Sequence, residues 1–308
     1  MKLMRRNWQG DEDYWLVREF LREVLMLNAR REWSWPLYRW DYWRWHVNEN
    51  IFYLPLEEQV FLWEGDDGLL RAVLNPDAPG EAAFQVHPAV SSAELEEEMI
   101  AVAEEHLAVV GEDGTRRLRV WDPEAEAMRD DILARRGYTQ RPVYEHQRRR
   151  SMDGEITDVP VADGYTVRAL GGPEELPARS WASWRAFHPD EPDEAYDGWE
   201  WYRNVQRAPL YRRDLDIVAE APGGEIAAFC TVWFDDVTRI AAFEPVGTTP
   251  EHQRLGLGKA VMAEGLRRAR WLGATLATVS SYAEPAHTLY ESMGFTTFDR
   301  AGLWERAW

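Results

Sequence analysis

The stretch PEHQRLGLGKAVMAEGLRRARWLG, residues 250–273, sets Gln253, Gly256 and Gly258 within six positions and then runs on with a helical pattern. Glycine in a first helical turn costs up to about 1 kcal/mol against alanine. Two glycines there make sense where something must come close to the backbone. With no side chains in the way, successive N–H groups can converge on one anion, and the helix N-terminus adds roughly half a positive charge. Arg254 and Lys259 supply full charges nearby. The expectation is a pyrophosphate-sized anion site over Gln253, Arg254, Leu255, Gly256, Leu257, Gly258 and Lys259. It is not the dinucleotide fingerprint, because Val261 stands where the third glycine would fall, and the Walker pattern is absent.

Working outward, a strand over residues 240–248, closed by Pro250, leads into this loop, and a helix over 256–272 leaves it. The strand ATLATVSS (274–281), the helix EPAHTLYESMG (284–294) and a last strand to residue 308 follow. Upstream lie YTVRAL (165–170), a helical stretch around Trp181 and Trp184, and the strands LDIVAEA (215–221) and IAAFCTVWF (226–234). The first half repeats the order: strands QVFLWE (59–64), LLRAVLN (69–75) and AAFQVHP (82–88), then a helix over 92–110. A strand RRLRVWD (116–122), a helix over 126–137 and a strand over 138–148 complete it. Pro88 and Pro250 stand 162 residues apart, and Gly137 and Gly294 stand 157 apart, as one duplicated unit would place them. The stretch SMDGEITDVPVADG (151–164), rich in turn formers, reads as a linker. The expected fold class is α+β: two related domains, 1–152 and 153–308, each a mixed, mostly antiparallel twisted sheet flanked by helices.

The chain of 308 residues carries 54 acidic against 35 basic residues, a net charge of −19, with the excess in both halves. Such a field repels nucleic acid and anionic membranes and attracts a cationic substrate. A single cysteine, Cys230, leaves no disulfide framework and no multi-thiolate metal site, and its apolar run makes it a core residue. No metal is expected. With no apolar leader and no run of 18 apolar residues, the reading is a cytoplasmic protein outside the membrane.

The segment EPVGTTPEHQRLGLGKAVMAEGLRRARWLGA, followed by SSYAEPAHTLYESMGF, resembles the core of the GNAT superfamily of acetyl-CoA-dependent N-acetyltransferases. The family's Gln/Arg-x-x-Gly-x-Gly/Ala loop matches Gln253–Gly258, and its Leu-Tyr-x-x-x-Gly-Phe helix matches Leu289–Phe295, in the right order. The clear match covers roughly residues 240–297; the duplication extends it more weakly over the whole chain. The resemblance implies that Gln253–Lys259 bind the pyrophosphate of coenzyme A through backbone amides. Strand 240–248 would splay from its neighbour, freeing main-chain groups at Val246, Gly247 and Thr248 for the pantetheine arm. Tyr290 falls on the family's proton donor to the departing thiolate. Glu244, a carboxylate in an otherwise apolar strand, is the candidate general base, with His287 as rival. Where many members have an asparagine seven residues before the tyrosine, this chain has Ala283, so Ser280 or Ser281 would have to replace its contact.

The first half keeps the layout without the chemistry. Its loop AVSSAELEEEM has no glycine and carries Glu94, Glu96, Glu97 and Glu98, and Leu133 stands where Tyr290 does. The implied reading is one degenerate and one catalytic domain. Seventeen tryptophans, several of them in REWSWPLYRWDYWRW (31–45), suit either an aromatic pocket or a buried interface such as that of a homodimer. A second aromatic cluster, 180–204, lies where the family shapes its acceptor site, so Trp181, Trp184 and His188 are candidate substrate contacts, beside Asp190, Glu191, Asp193 and Glu194. The implied activity is acetyl transfer from acetyl-CoA to a primary amine of a small cationic acceptor: an amino sugar, an aminoglycoside-like compound or a polyamine. Peptide or protein N-acetylation and a non-catalytic CoA-binding sensor are the alternatives.

Overall fold

In the computed structural model, residues 2–124 and 127–308 are described. Met1, Ala125 and Glu126 lie outside the described residues, and with Glu126 the first position of the helix expected over 126–137. The chain divides into two compact units, each with its own core.

The first unit holds β1 (Leu3–Asn7), α1 (Asp11–Leu27), α2 (Leu37–Tyr42), α3 (Leu56–Gln59), β2 (Phe61–Gly65), β3 (Leu70–Asn75) and β4 (Glu81–Val86). These are followed by α4 (Ala93–His106), β5 (Val109–Val110), β6 (Arg116–Pro123) and α5 (Ala127–Arg135). β1 to β4 pair antiparallel in sequence, and α4 crosses over so that β6 runs parallel to β4. Phe61, Trp63, Met99, Ile100 and Leu133 fill the core. The tryptophan-rich stretch turns inward: Trp40 stacks on Trp43 with centroids 5.3 Å apart, and Trp8 and Trp35 pack at 6.0 and 6.1 Å. All four are buried, so they are core of this unit.

β7 (Thr139–Ser151) begins in the first unit and ends in the second. The second unit contains β8 (Thr166–Ala169), α6 (Leu176–Phe187), α7 (Tyr202–Val205), β9 (Asp216–Glu220), β10 (Ile226–Asp235) and β11 (Ile240–Thr248). Then come α8 (Leu257–Trp271), β12 (Leu276–Ser281), α9 (Glu284–Ser292) and the start of β13 (Thr297–Ala307). β8 to β11 form an antiparallel meander, and β12 joins parallel to β11. β10 is buried at every position, as a central strand covered on both faces must be. α8 lies close on this sheet because Gly265 has no side chain: a Cβ there would sit 2.9 Å from Val232 Cγ2 and 3.0 Å from Phe243 Cε1. Cys230 is fully buried, and burial pushes its thiol well above the ordinary range, so it is a core residue.

The α+β class and its mixed, helix-flanked sheets are as expected. The boundaries depart from a single cut after residue 152. Residues 44–50 group with the second unit, and residues 299–308 return to the first. There β13 pairs antiparallel with β6, from Ala301 opposite Pro123 to Ala307 opposite Arg117. The unpaired edge of β6 is satisfied by the end of the chain, a demand of strand pairing that linker composition does not reveal. Among the described residues no helix is long and apolar enough to cross a membrane.

Candidate active site

β11 is held along one edge and released along the other. β12 pairs with it over Ile240–Ala242 only, whereas β10 stays paired with it to Thr248. Beyond Ala242 the main chain of β11 has no ladder partner on the β12 side, and the gap left by this parting is the candidate cleft. The ladder to β10 also shifts: Val232 opposes Phe243 and Cys230 opposes Val246. β10 places one residue between these pairs and β11 places two, Glu244 and Pro245. This is a bulge, a device that bends a strand and re-aims a side chain. The half-buried Glu244 sits in it, and its carbonyl accepts the indole N–H of Trp233. Val246, Gly247 and Thr248 follow, half-buried beside the cleft.

The loop after β11 ends in a helix start without a cap. Gly256 occupies the N-cap of α8 at φ 78°, with no side-chain hydrogen bond to the first turn. Arg254 adopts a left-handed φ of 62° two residues earlier. Left-handed positions in such a run turn successive N–H groups toward one point. A Cβ at Gly256 would meet nothing within 4 Å, and one at Gly258 would be 3.5 Å from Thr248 Oγ1 and 3.6 Å from Leu289 Cδ2. The free N–H groups of the first turn thus open on unfilled space, with Arg254 and Lys259 exposed beside it. Gln253 and Leu255 are exposed, and Leu257 is buried in the core, so its main chain alone faces the loop. In the first unit the matching helix α4 is capped by its own Ser92, whose Oγ accepts from Leu95 N at 3.3 Å. Glu96 there is buried and bound bidentately by Arg129 at 2.8 Å.

α9 follows β12 and carries Tyr290. Tyr290 is 7% exposed in the core cluster, with its ring near Phe295. Burial, reinforced by the carboxylate of Glu244 and by Cys230, holds its phenol well above the ordinary value. Tyr290 therefore keeps its proton across the ordinary pH range, with the charge of Glu244 a secondary cause. His287 is turned elsewhere, with Nε2 3.4 Å from the Ser281 carbonyl and Nδ1 3.5 Å from Glu284. The hydroxyls of Thr278, Ser280 and Ser281 on β12 are buried without a hydrogen-bond partner. Thr278 and Ser280 share one face of β12 and Ser281 takes the other, and Ser280 and Ser281 are the residues expected to compensate for Ala283.

Trp181, Trp184 and His188 stack along α6: Trp181 on Trp184 at 5.4 Å, and Trp184 on His188 at 5.5 Å. Trp181 also lines a cavity of about 550 Å³ with Arg185, Asp193, Thr249, Glu251 and His252, next to the glycine loop. Two further features were not anticipated. Trp233 braces the bulge, and a buried ion pair joins Arg179 to Asp216 at 3.0 Å beneath β10. Their sequence signal is faint: Arg179 and Asp216 are single charges set among largely apolar neighbours.

The acetyltransferase (GNAT) family model matches residues 175–295. Among curated proteins the chain is 32% identical over 188 residues to a mycothiol acetyltransferase of Thermomonospora curvata, covering 59% of this chain and 61% of that one. It is 26% identical over 252 residues to a mycothiol acetyltransferase of an Arthrobacter species, covering 75% and 72%. Among solved structures it resembles a GCN5-related N-acetyltransferase from Sphaerobacter thermophilus, with TM-score 0.67, 16% identity, and 99% and 95% coverage. It also resembles a tandem GNAT protein from the clavulanic acid biosynthesis pathway, with TM-score 0.65, 14% identity, and 99% and 98% coverage. At these identities the structural likeness is one of fold.

Proposed function

From the match of residues 175–295 to the acetyltransferase (GNAT) family model, we propose that this chain moves an acetyl group from acetyl-CoA to a primary amine of a small cationic acceptor. One observation carries the reading: the uncapped, glycine-started helix α8 follows β11 just where that strand has lost its pairing with β12. The first-turn N–H groups of α8, with Arg254 and Lys259, hold the pyrophosphate. The main chain of Val246, Gly247 and Thr248 and the hydroxyls of Ser280 and Ser281 hold the arm. The bound thioester supplies an activated acetyl group.

In this scheme Glu244 accepts a proton from the attacking ammonium, directly or through water, so that nitrogen can attack the acetyl carbon. As the C–N bond forms and the C–S bond breaks, the Tyr290 phenol would give its proton to the departing sulfur, and the second proton that nitrogen sheds on becoming an amide would restore the phenol, directly or through water. The raised pKa means that the phenol still carries its proton when the thiolate forms, without making it a stronger acid, and a thiolate that is protonated as it leaves does not return. The first unit, with α4 self-capped and Glu96 tied to Arg129, contributes no second cofactor loop. Relatives named mycothiol acetyltransferases favour a small molecule over a protein as acceptor.

The test is thiol release from acetyl-CoA with glucosamine, kanamycin, spermidine and an N-terminal peptide as acceptors. Turnover is expected with a small amine. Glu244→Gln and Tyr290→Phe should each lower kcat by about 10²-fold or more while CoA still raises the melting temperature. Stabilisation by CoA without turnover of any acceptor would instead describe a CoA-binding sensor.

A further inference from the structure

We infer that Trp233 is a positioning residue for acyl transfer: its indole N–H fixes the carbonyl of Glu244 in the β11 bulge and so sets where the Glu244 carboxylate lies. The inference rests on the proposed role of Glu244 as base.

In an unbroken ladder a strand carbonyl is bonded to a neighbouring main chain. Glu244 lies in the bulge, between the pairs Val232–Phe243 and Cys230–Val246, where β12 has already parted. A carbonyl in such a bulge is fixed by the donor it accepts from. Trp233 provides it from β10, one register pair away, where it stands opposite Ala242. The donor is itself immobile. Trp233 is 1% exposed, and the Tyr211 ring meets it edge-on at 6.2 Å. Tyr211 donates its hydroxyl to Asp216 Oδ2 at 3.0 Å and accepts from Gln206 Nε2 at 3.0 Å. Asp216 is bound in turn by Arg179. A fully packed column thus ends on one carbonyl. Fixing that carbonyl fixes the peptide plane after Glu244, and with it the direction of the Glu244 side chain and the start of the exposed main chain at Val246. Reaction rates are sensitive to displacements of about 1 Å in a reacting group.

Trp233→Phe keeps an aromatic ring and deletes the donor. Site-specific benzothienylalanine at position 233 deletes only the N–H and keeps the shape, which covers the case in which phenylalanine packs poorly. With acetyl-CoA and whichever of glucosamine, kanamycin or spermidine turns over, both forms should lower kcat roughly five- to twentyfold, in keeping with loss of one buried hydrogen bond and the resulting displacement. The KM for acetyl-CoA should stay within about twofold, and the acidic limb of the pH profile of kcat/KM for the amine should move, readouts that a purely structural residue leaves in place. In a Glu244→Gln background the same changes should add less than about twofold. Parental kcat and pH profile in both Trp233 forms, beside an impaired Glu244→Gln, would overturn this inference alone. Equal losses with and without Glu244 would overturn it too, because Trp233 would not be acting through the carboxylate. Glu244→Gln at the parental rate would overturn the reading beneath it.

Discussion

Arg179 Nε donates to Asp216 Oδ1 at 3.0 Å, and neither side chain is exposed to solvent at all. Asp216 also accepts from the hydroxyls of Tyr202, Tyr211 and Thr231, and the guanidinium lies 3.9 Å from the centroid of the Phe229 ring. A buried pair of this kind adds little net stability over an apolar isostere, but removing one partner strands the other charge. Asp216→Asn should therefore lower the unfolding free energy by about 3 kcal/mol in urea titration. Adding Arg179→Met should restore part of the loss. A single mutant as stable as the parent would mean that water already reaches the pair.

Gly247 is required by its neighbour rather than by its backbone angles. It stands opposite Phe229 in the ladder, and a Cβ there would overlap the tip of that ring. Phe229 cannot yield easily, being 0% exposed and packed against Arg179 and Phe187. Gly247→Ala should cost about 1–3 kcal/mol, the usual range for overpacking, and Phe229→Leu in the same chain should recover some of it. Thermal unfolding of the two variants checks this.

Gly256 makes the opposite case. Space around it is open, so a methyl group meets no clash, but φ 78° is left-handed and disfavours any Cβ by about 1 kcal/mol. Gly256→Ala should lower stability by about that amount. If the first turn of α8 holds a pyrophosphate, it should also weaken CoA binding by tenfold or more, measured by calorimetry. Stability loss without a change in affinity would detach the helix start from the cofactor.

The parts of the site legible in the sequence are those whose function restricts residue type over a short span. Two glycines at a helix start, a proline closing a strand and a tyrosine before Gly-Phe are local patterns, and β11, α8 and α9 appear where they point. The parting of β12 after Ala242 became visible only in the strand register, since nothing in TLATVSS marks where pairing stops. The pairing of β13 with β6 joins residues about 180 apart, beyond the reach of any local pattern. Trp233 read as one more apolar residue of a central strand; its N–H acquires meaning only from the bulge opposite. The same limit applies to Trp181, Trp184 and His188. Their helical spacing was readable, but that only Trp181 lines the cavity beside the glycine loop was not.

His46 shows how a fixed amide can set a charge. Asn204 Nδ2 donates to Asn50 Oδ1 at 2.7 Å, which leaves the Asn50 amide nitrogen to donate to His46 Nδ1 at 3.0 Å and to the Trp201 carbonyl at 3.2 Å. Nδ1 must then be an acceptor, so the ring is neutral, and burial lowers its pKa from the ordinary 6.5 to about 4. The sign follows directly. Between pH 6.5 and 4 the unfolded chain holds a proton on this ring that the folded chain does not, so stability falls as pH falls through that window. Above pH 6.5 the contribution is fully present. The full shift would amount to about 3 kcal/mol; with the ring only partly covered, roughly 2 kcal/mol is the expected loss. Carboxylates titrate in the same range, so the measurement is a difference: urea midpoints from pH 4.5 to 7.5 for the parent and for His46→Gln, whose amide oxygen can still accept from Asn50. The parent should lose stability more steeply toward acid than the variant, and parallel curves would show that His46 takes up its proton without disturbing the fold.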